Sequence, residues 1–271
     1  MEYRYEPEKE LEFLRIFGRS EIRIRILLAL GGSEAKIGKL SEELNLTTSN
    51  IIHAMKALED MEIVEKDREV YSLTNIGYII YTIFNDVIGS ISALTKNREF
   101  WFSHDISGIP IHLERSIGLL RNCEVIKSTP DDVIKAYSNF IEQISLARDM
   151  KGVSPIYCIE FYHRVKALLK NKINVELILT EVVLEAILEA DEEEPDFLKE
   201  AHSDGYVRLF MVDDDVKVAF TITDSVISLG FFDDKGNYDL ANDLVGYDEG
   251  ALEWGRQLYE YYRNQAREVK L

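Results

Sequence analysis

The apolar positions of residues 36–73 change period twice. Ile37, Leu40 and Leu44 are spaced three and four apart, and Ile51, Met55 and Leu58 repeat that spacing with Ala54 beside them. Each set puts its apolar side chains on one face of a short helix. Asn45 and Leu46 make the turn between them, and Thr47, Thr48 and Ser49 supply hydroxyls that can cap the second helix. Ile63, Val64, Tyr71 and Leu73 then alternate with polar residues around a charged tip at 65–69, which predicts two strands. Upstream, residues 8–30 carry apolar faces through Leu11, Leu14, Ile22, Ile26 and Leu30, with a weak break at Gly18. The alternation within 22–27 has a strand-like rhythm. The stop at Gly31-Gly32 and the pattern that follows favour a helix.

The pattern downstream is of two kinds. From Asn75 to Leu94 the only charge is Asp86, and Ile76, Ile80, Ile83, Val87, Ile91 and Leu94 form one stripe, widened by Ile79, Phe84 and Ile88. A helix so apolar must be covered. Two uses stay open, a seam between two copies of the chain or a core helix linking two domains. Residues 97–130 read as a connector with a helix near 111–120. From there strands and helices alternate: a helix through Val133, Tyr137, Phe140, Ile144 and Ala147, a strand at 155–159, a helix at 161–171, a strand at 173–180 and a helix to Ala190. That order predicts an α/β domain with parallel pairing. Residues 207–212, 217–223 and 226–232 read as three strands of a meander, with turns at 213–215 and 224–225, and a final helix spans about 249–269. Asp191–Glu194 reads as a solvated acidic loop.

Residues 36–73 spell a winged helix-turn-helix. Ser49, Ile51, Met55, Leu58, Glu59, Ile63 and Val64 follow the shared pattern of the arsenic-repressor-like and multiple-antibiotic-repressor-like regulators, which this stretch resembles. Glu62 stands where that pattern has glycine, and the wing tip is short and lacks glycine. In such a domain the second helix enters the major groove and its outward side chains meet base edges. Here these are Thr48, Ser49, Asn50, Ile52, His53 and Lys56. Asn50 suits adenine, Lys56 suits guanine or phosphate, Ile52 suits a thymine methyl, and Arg68 at the wing tip suits phosphate or the minor groove.

Charge complicates this picture. The 271-residue chain carries a net charge of −18, and residues 20–75 hold 7 Lys or Arg against 10 Asp or Glu. DNA-binding domains usually present a basic footprint. An acidic body confines contact to one face, with Arg23, Arg25, Lys36, Lys39, Lys56 and Arg68 as the local cations. The two cysteines, Cys123 and Cys158, form no disulfide framework. The charged first ten residues do not read as a signal peptide, and no apolar run is expected to reach the roughly 20 residues that span a bilayer. The expectation is a cytoplasmic protein with no membrane partner.

The second half is similar to an arrangement found in methanogens and related archaea, a winged helix joined to an effector domain named after a filamentation regulator. The likeness is carried by FWFSHDISGIPIHL at 100–113, RDMKGVSPIYCIEFY at 148–162, NVELILT at 174–180 and ALEWGRQLYEYYR at 251–263, in that order. It implies a transcription regulator whose effector domain senses a signal. The strand order also resembles the phospholipase D fold. Those enzymes need His-x-Lys-x4-Asp, and here Asp215 and Ile222 flank Lys217 in place of the His and the Asp, so the nucleophile is missing. The five histidines show no metal-ligand spacing. Neither cofactor nor metal is expected. His104, Tyr157, Arg208 and Lys217 are the candidate effector-binding residues, the last weighed against a plain surface strand residue.

The expectation is thus an α+β chain: a winged helix-turn-helix at 8–74, linker or dimerisation helices at 75–128, and an α/β effector domain at 129–271. Function follows as a homodimeric regulator binding a double-stranded operator, with a non-catalytic second domain that senses a small molecule or a partner. A protein-interaction adaptor and, further off, a phosphodiesterase remain as alternatives.

Overall fold

The computed structural model describes residues 8–190, 196–212 and 215–271. The acidic run 191–194 and most of the 213–215 turn lie outside the described residues. The chain divides into two units, the first ending at Ile88 and the second beginning at Gly89.

The first unit starts with α1 (Glu8–Gly18) and α2 (Glu21–Gly32), separated at the break expected near Gly18. A two-residue strand, β1 (Ala35–Lys36), leads into α3 (Ile37–Leu44). Asn45 closes α3 in the left-handed conformation, φ 51°, a state asparagine tolerates better than most residues. Thr47 then caps α4 (Thr48–Asp60), its hydroxyl accepting the Asn50 N–H at 3.3 Å. The wing is β2 (Val64–Asp67) and β3 (Val70–Leu73), paired from Val64↔Leu73 to Asp67↔Val70, and β1 joins the other edge of β3. Phe17, Ile26, Leu27, Leu40, Ile51, Met55, Leu58 and Ile63 fill the core between helices and wing.

Next comes α5 (Asn75–Lys96), and the division between the units falls within it. At 22 residues it is long and apolar enough to cross a membrane by length and composition alone, which corrects the expectation that no run reaches that length. Its first half belongs to the winged core, where Ile80, Tyr81 and Phe84 pack. Gly77 lies so close to the Ile63 carbonyl that a Cβ there has no room. The opposite side is bare: Ile76, Ile79, Ile83, Val87 and Ile91 are each more than half exposed.

The second unit is built on a nine-stranded sheet. After α6 (Arg98–Ser103), β4 (His104–Asp105), α7 (Ile111–Glu114) and a 3-10 turn at 117–120 come β5 (Glu124–Lys127) and α8 (Lys135–Ser145). Then follow β6 (Asp149–Ser154), α9 (Ile159–Lys170), β7 (Asn174–Thr180), α10 (Glu181–Ala190), α11 (Phe197–Ser203) and β8 (Val207–Val212). The chain ends with β9 (Val218–Thr223), β10 (Ile227–Asp233), β11 (Asn242–Gly246), α12 (Glu249–Arg263) and β12 (Arg267–Glu268). The order is β12-β8-β7-β6-β9-β10-β11-β5, with β4 paired to the end of β10. β6, β7 and β8 run parallel, as the alternating pattern predicts, and the remaining pairs are antiparallel.

Several expectations change. The strand placed at 155–159 is a loop; the strand is β6, just before it, and Pro155 cannot extend the ladder. The meander fails at its first joint, because β8 pairs with β7 and β12 while β9 crosses to the far side of β6. Residues 97–130 are not a connector: Phe100, Trp101, Ile109, Leu113, Ile117, Leu120 and Cys123 belong to the principal core, and β5 is a strand of the sheet. The final helix stops at Arg263.

Both faces of the sheet are covered. Ile178, Phe210, Phe220, Leu229 and Phe231 face one core with Trp254, Leu258 and Tyr259 of α12. Val175, Leu177, Leu179 and Leu209 face another with Tyr162, Val165, Leu168 and Ile187 of α9 and α10. Strands buried on both sides lose the apolar-polar alternation, which explains why every residue of 218–223 and all of 177–180 are buried.

Candidate nucleic-acid interface and the cavity of the second unit

The two faces of α4 are chemically opposite. Ile51, Ala54, Met55 and Leu58 are buried; Thr48, Ser49, Asn50, Ile52, His53 and Lys56 are exposed. The six residues expected to face outward therefore share one solvent surface. Their side chains are fixed in direction by a capped helix whose other stripe is locked into the core.

The wing turns tightly. Arg68 and Glu69 alone join β2 to β3, and Arg68 reaches the turn with φ 57°. Glu69 lies 3.5 Å from Lys36, and Lys66 sits over the Tyr71 ring. Arg68 itself is exposed. Glu62, standing in for glycine, adopts φ 56°, the left-handed state glycine takes at no steric cost. The bend closes by Ile63 N–H donating to Leu58 O at 2.9 Å and the Thr74 hydroxyl donating to Glu62 O at 2.7 Å.

The supporting cations sort into two sets. Arg23 donates to Ile16 O at 2.7 Å and Arg25 to Leu44 O at 2.6 Å, so both hold the backbone of the winged unit. Lys39, Lys56 and Arg68 are exposed and make no ion pair among the described residues.

The four residues expected to bind an effector are not brought together. His104 is buried, with Nδ1 facing Phe100 O at 2.7 Å and Nε2 facing Asp239 Oδ2 at 3.0 Å. Tyr157 is exposed. Arg208 bridges Glu268 and Glu176 over the Phe210 ring, and Lys217 pairs with Asp215 at 3.0 Å. None of the four lines the cavity of this unit.

That cavity lies between α8, the loop after β6 and the sheet face away from α12. Its volume is about 70 Å³, against roughly 10–15 Å³ for one water. Four aromatic rings stand in its walls: Tyr137, Phe140, Phe161 and Tyr238. Phe140 and Phe161 stack at 5.7 Å. The Tyr238 ring lies directly over Gly230, where any side chain would collide with it. Its polar end carries Asp239, Asn242, Asp243 and Ser228. Asp239 accepts from Asn242 Nδ2 at 2.7 Å and the Ala241 N–H at 2.8 Å, besides facing His104. Asp243 is buried and takes the Ser228 hydroxyl at 2.8 Å on each oxygen. Burial, only partly offset by that hydroxyl and the Leu229 N–H, pushes its carboxyl up to about 7. The Tyr137 hydroxyl lies 2.9 Å from Cys158 Sγ, and burial raises its pKa. Sequence reasoning missed these residues because 136–140, 152–161, 219–228 and 238–243 meet only through the sheet order.

Known proteins resemble the chain in the same two parts. The N-terminal domain of methanogenesis regulatory protein FilR1 matches residues 11–92, and the middle domain of that protein matches residues 133–265. Methanogenesis regulatory protein FilR1 of Methanothrix harundinacea is 26% identical over 94% of this chain and 58% of its own length. The chain thus spans a little over half of that relative. An uncharacterised protein of Methanocaldococcus jannaschii is 35% identical over 32% of this chain and 99% of its own length. Among solved structures, TrmBL2, described as an archaeal chromatin protein with a novel mode of DNA binding, aligns with 96% of this chain and 99% of its own at 13% identity and a TM-score of 0.42. With both domain matches in sequence order and the winged unit and nine-stranded unit beneath them, the chain belongs to the family of the methanogenesis regulatory protein FilR1.

Proposed function

We propose that the protein is a DNA-binding transcription regulator that works in the cytoplasm as a homodimer and senses a small molecule through a non-catalytic second unit. The observation that carries this is the exposed face of α4, five polar side chains and Ile52 over a fully buried opposite stripe. A helix so presented fits a major groove, with Asn50 on adenine, Lys56 on guanine or phosphate, and Ile52 on a thymine methyl, while Arg68 extends the contact from the wing. Family membership supports the regulatory role.

The dimer reading rests on α5. Its exposed apolar residues at 76, 79, 83, 87, 91 and 94 follow the three-and-four spacing of a helix-helix seam. Covered by a second copy, they would place two α4 helices on palindromic half-sites.

Fluorescence anisotropy with DNA from upstream of the protein's own gene tests the reading across a salt series. Specific binding that weakens about tenfold or more in an Asn50→Ala/Lys56→Ala variant is the expected result. Binding indifferent to both changes would sink it. A second reading, a protein-binding adaptor, is favoured by the net charge of −18. On that reading Lys56→Ala and Arg68→Ala leave partner capture untouched.

A further inference from the structure

The cavity of the second unit sits where the parallel strands of the sheet meet its antiparallel part, at the β6–β9 pair. The chain leaves β6 and winds through α9, β7, α10 and α11 to β8 on one side, and β9 lies on the other side of β6. The loop that follows the carboxyl end of β6 supplies Ile156 and Cys158 to the cavity wall. In open α/β sheets the loops beyond the carboxyl ends of parallel strands are where ligands bind.

The chemistry of the lining then narrows the ligand. No Lys, Arg or His lines the cavity, while two carboxylates do. An anion would meet only repulsion there. Asp239 is fully engaged by Asn242, the Ala241 N–H and His104. Asp243 is different: no cation among the described residues reaches it, and a hydroxyl and a backbone N–H are all that offset its burial. A buried carboxylate without a cation is costly. The described residues include no group of three metal ligands, so a metal ion is a poor fit. Around the rest of the cavity stand aromatic rings, whose faces attract an organic cation, most strongly when water is excluded.

We propose that this cavity binds a small organic cation, an ammonium or amidinium group on a compact apolar body, with its charge on Asp243 and its body against Tyr137, Phe140, Phe161 and Tyr238. The assignment deepens the sensing role proposed for the second unit and rests on it.

The test uses the full chain and defined probes: benzylammonium and isopentylammonium, each beside its neutral alcohol and its carboxylate counterpart. Calorimetric titration and thermal melts are read without DNA. The ammonium probes should bind and raise the melting temperature, and the alcohols and carboxylates should bind about tenfold more weakly or not at all. Asp243→Asn should weaken the ammonium probes by about tenfold, and Phe161→Leu by a smaller factor. Phe161→Leu alone carries the comparison if Asp243→Asn does not fold by circular dichroism. Equal binding of benzyl alcohol or benzoate, no binding of either ammonium probe at about 10 mM, or full affinity in both variants would overturn the proposal. Since the readout contains no DNA, a chain that fails to bind an operator still shows whether the cavity takes the cation. Probe binding that leaves operator affinity unchanged keeps the site and removes only its sensing role.

Discussion

At the residue scale, Asp243 sets the sharpest expectation. Its carboxyl titrates near 3.8 in an unfolded chain and is pushed up to about 7 by burial. The folded state therefore holds this proton more tightly, so the contribution of Asp243 to stability falls as pH rises from about 4 to about 7 and is flat above that. Tyr238, Asp239, Tyr247 and Cys158 also face this region, and none of them supplies a cation. Asp243→Asn should stabilise the fold at pH 8 by on the order of a few kcal/mol, and leave it unchanged at pH 4. Urea titrations at the two pH values check this. A second substitution is local to the wing. Glu62 holds a left-handed backbone, and Glu62→Gly should stabilise the first unit by about 1 kcal/mol, read as a higher melting temperature.

Single residues also show what one sequence discloses. Thr47 and Asn45 declared their caps because a cap is a short-range event. His104 drew notice beside Asp105 and Gly108, yet its partners are Phe100 and Asp239, the latter 135 positions away. Asp243 and Tyr238 gave no signal, since one sits in an unremarkable strand and the other in a stretch that reads only as a turn.

At the scale of elements, period was a good guide where packing is one-sided. α3, α4 and the wing bury one face each, so their spacing was legible. β6 was not: Asp149, Lys151 and Gly152 dilute its apolar residues, and the next five positions look more strand-like until Pro155 is weighed. The partners of β8 and β9 were equally hidden, because a short turn between two strands does not require that they pair. α5 offers the test at this scale. Charges at two positions of the proposed seam, Ile83→Asp and Val87→Lys, should convert the proposed dimer to a monomer in sedimentation while leaving the helix content and the Ile80, Tyr81 and Phe84 packing intact.

For the whole molecule the decisive quantity is charge. Only Lys39, Lys56 and Arg68 stand exposed without an ion pair among the six cations expected to serve the interface. In the proposed dimer, six such groups predict that log affinity for DNA falls with log salt at a slope of about −5. A slope near zero would mean that phosphate contact is not part of binding. The helix-turn-helix and its wing were legible from the hydrophobic rhythm of residues 36–73. The role of 97–130 in the second core was not, because its aromatics are scattered among polar residues and acquire a common face only around Phe231.

The two ends of the large sheet have a further consequence. One is β12, two residues long and made of Arg267 and Glu268; the other is β5, four residues bounded by Glu124 and Lys127. A long bare edge is a template for adding strands from other molecules, and short charged ones are poor templates. The protein should therefore stay free of fibrils at high concentration, with misassembly arising from loss of these end strands; thioflavin fluorescence on a chain with β12 removed, compared with the intact chain, would expose that vulnerability.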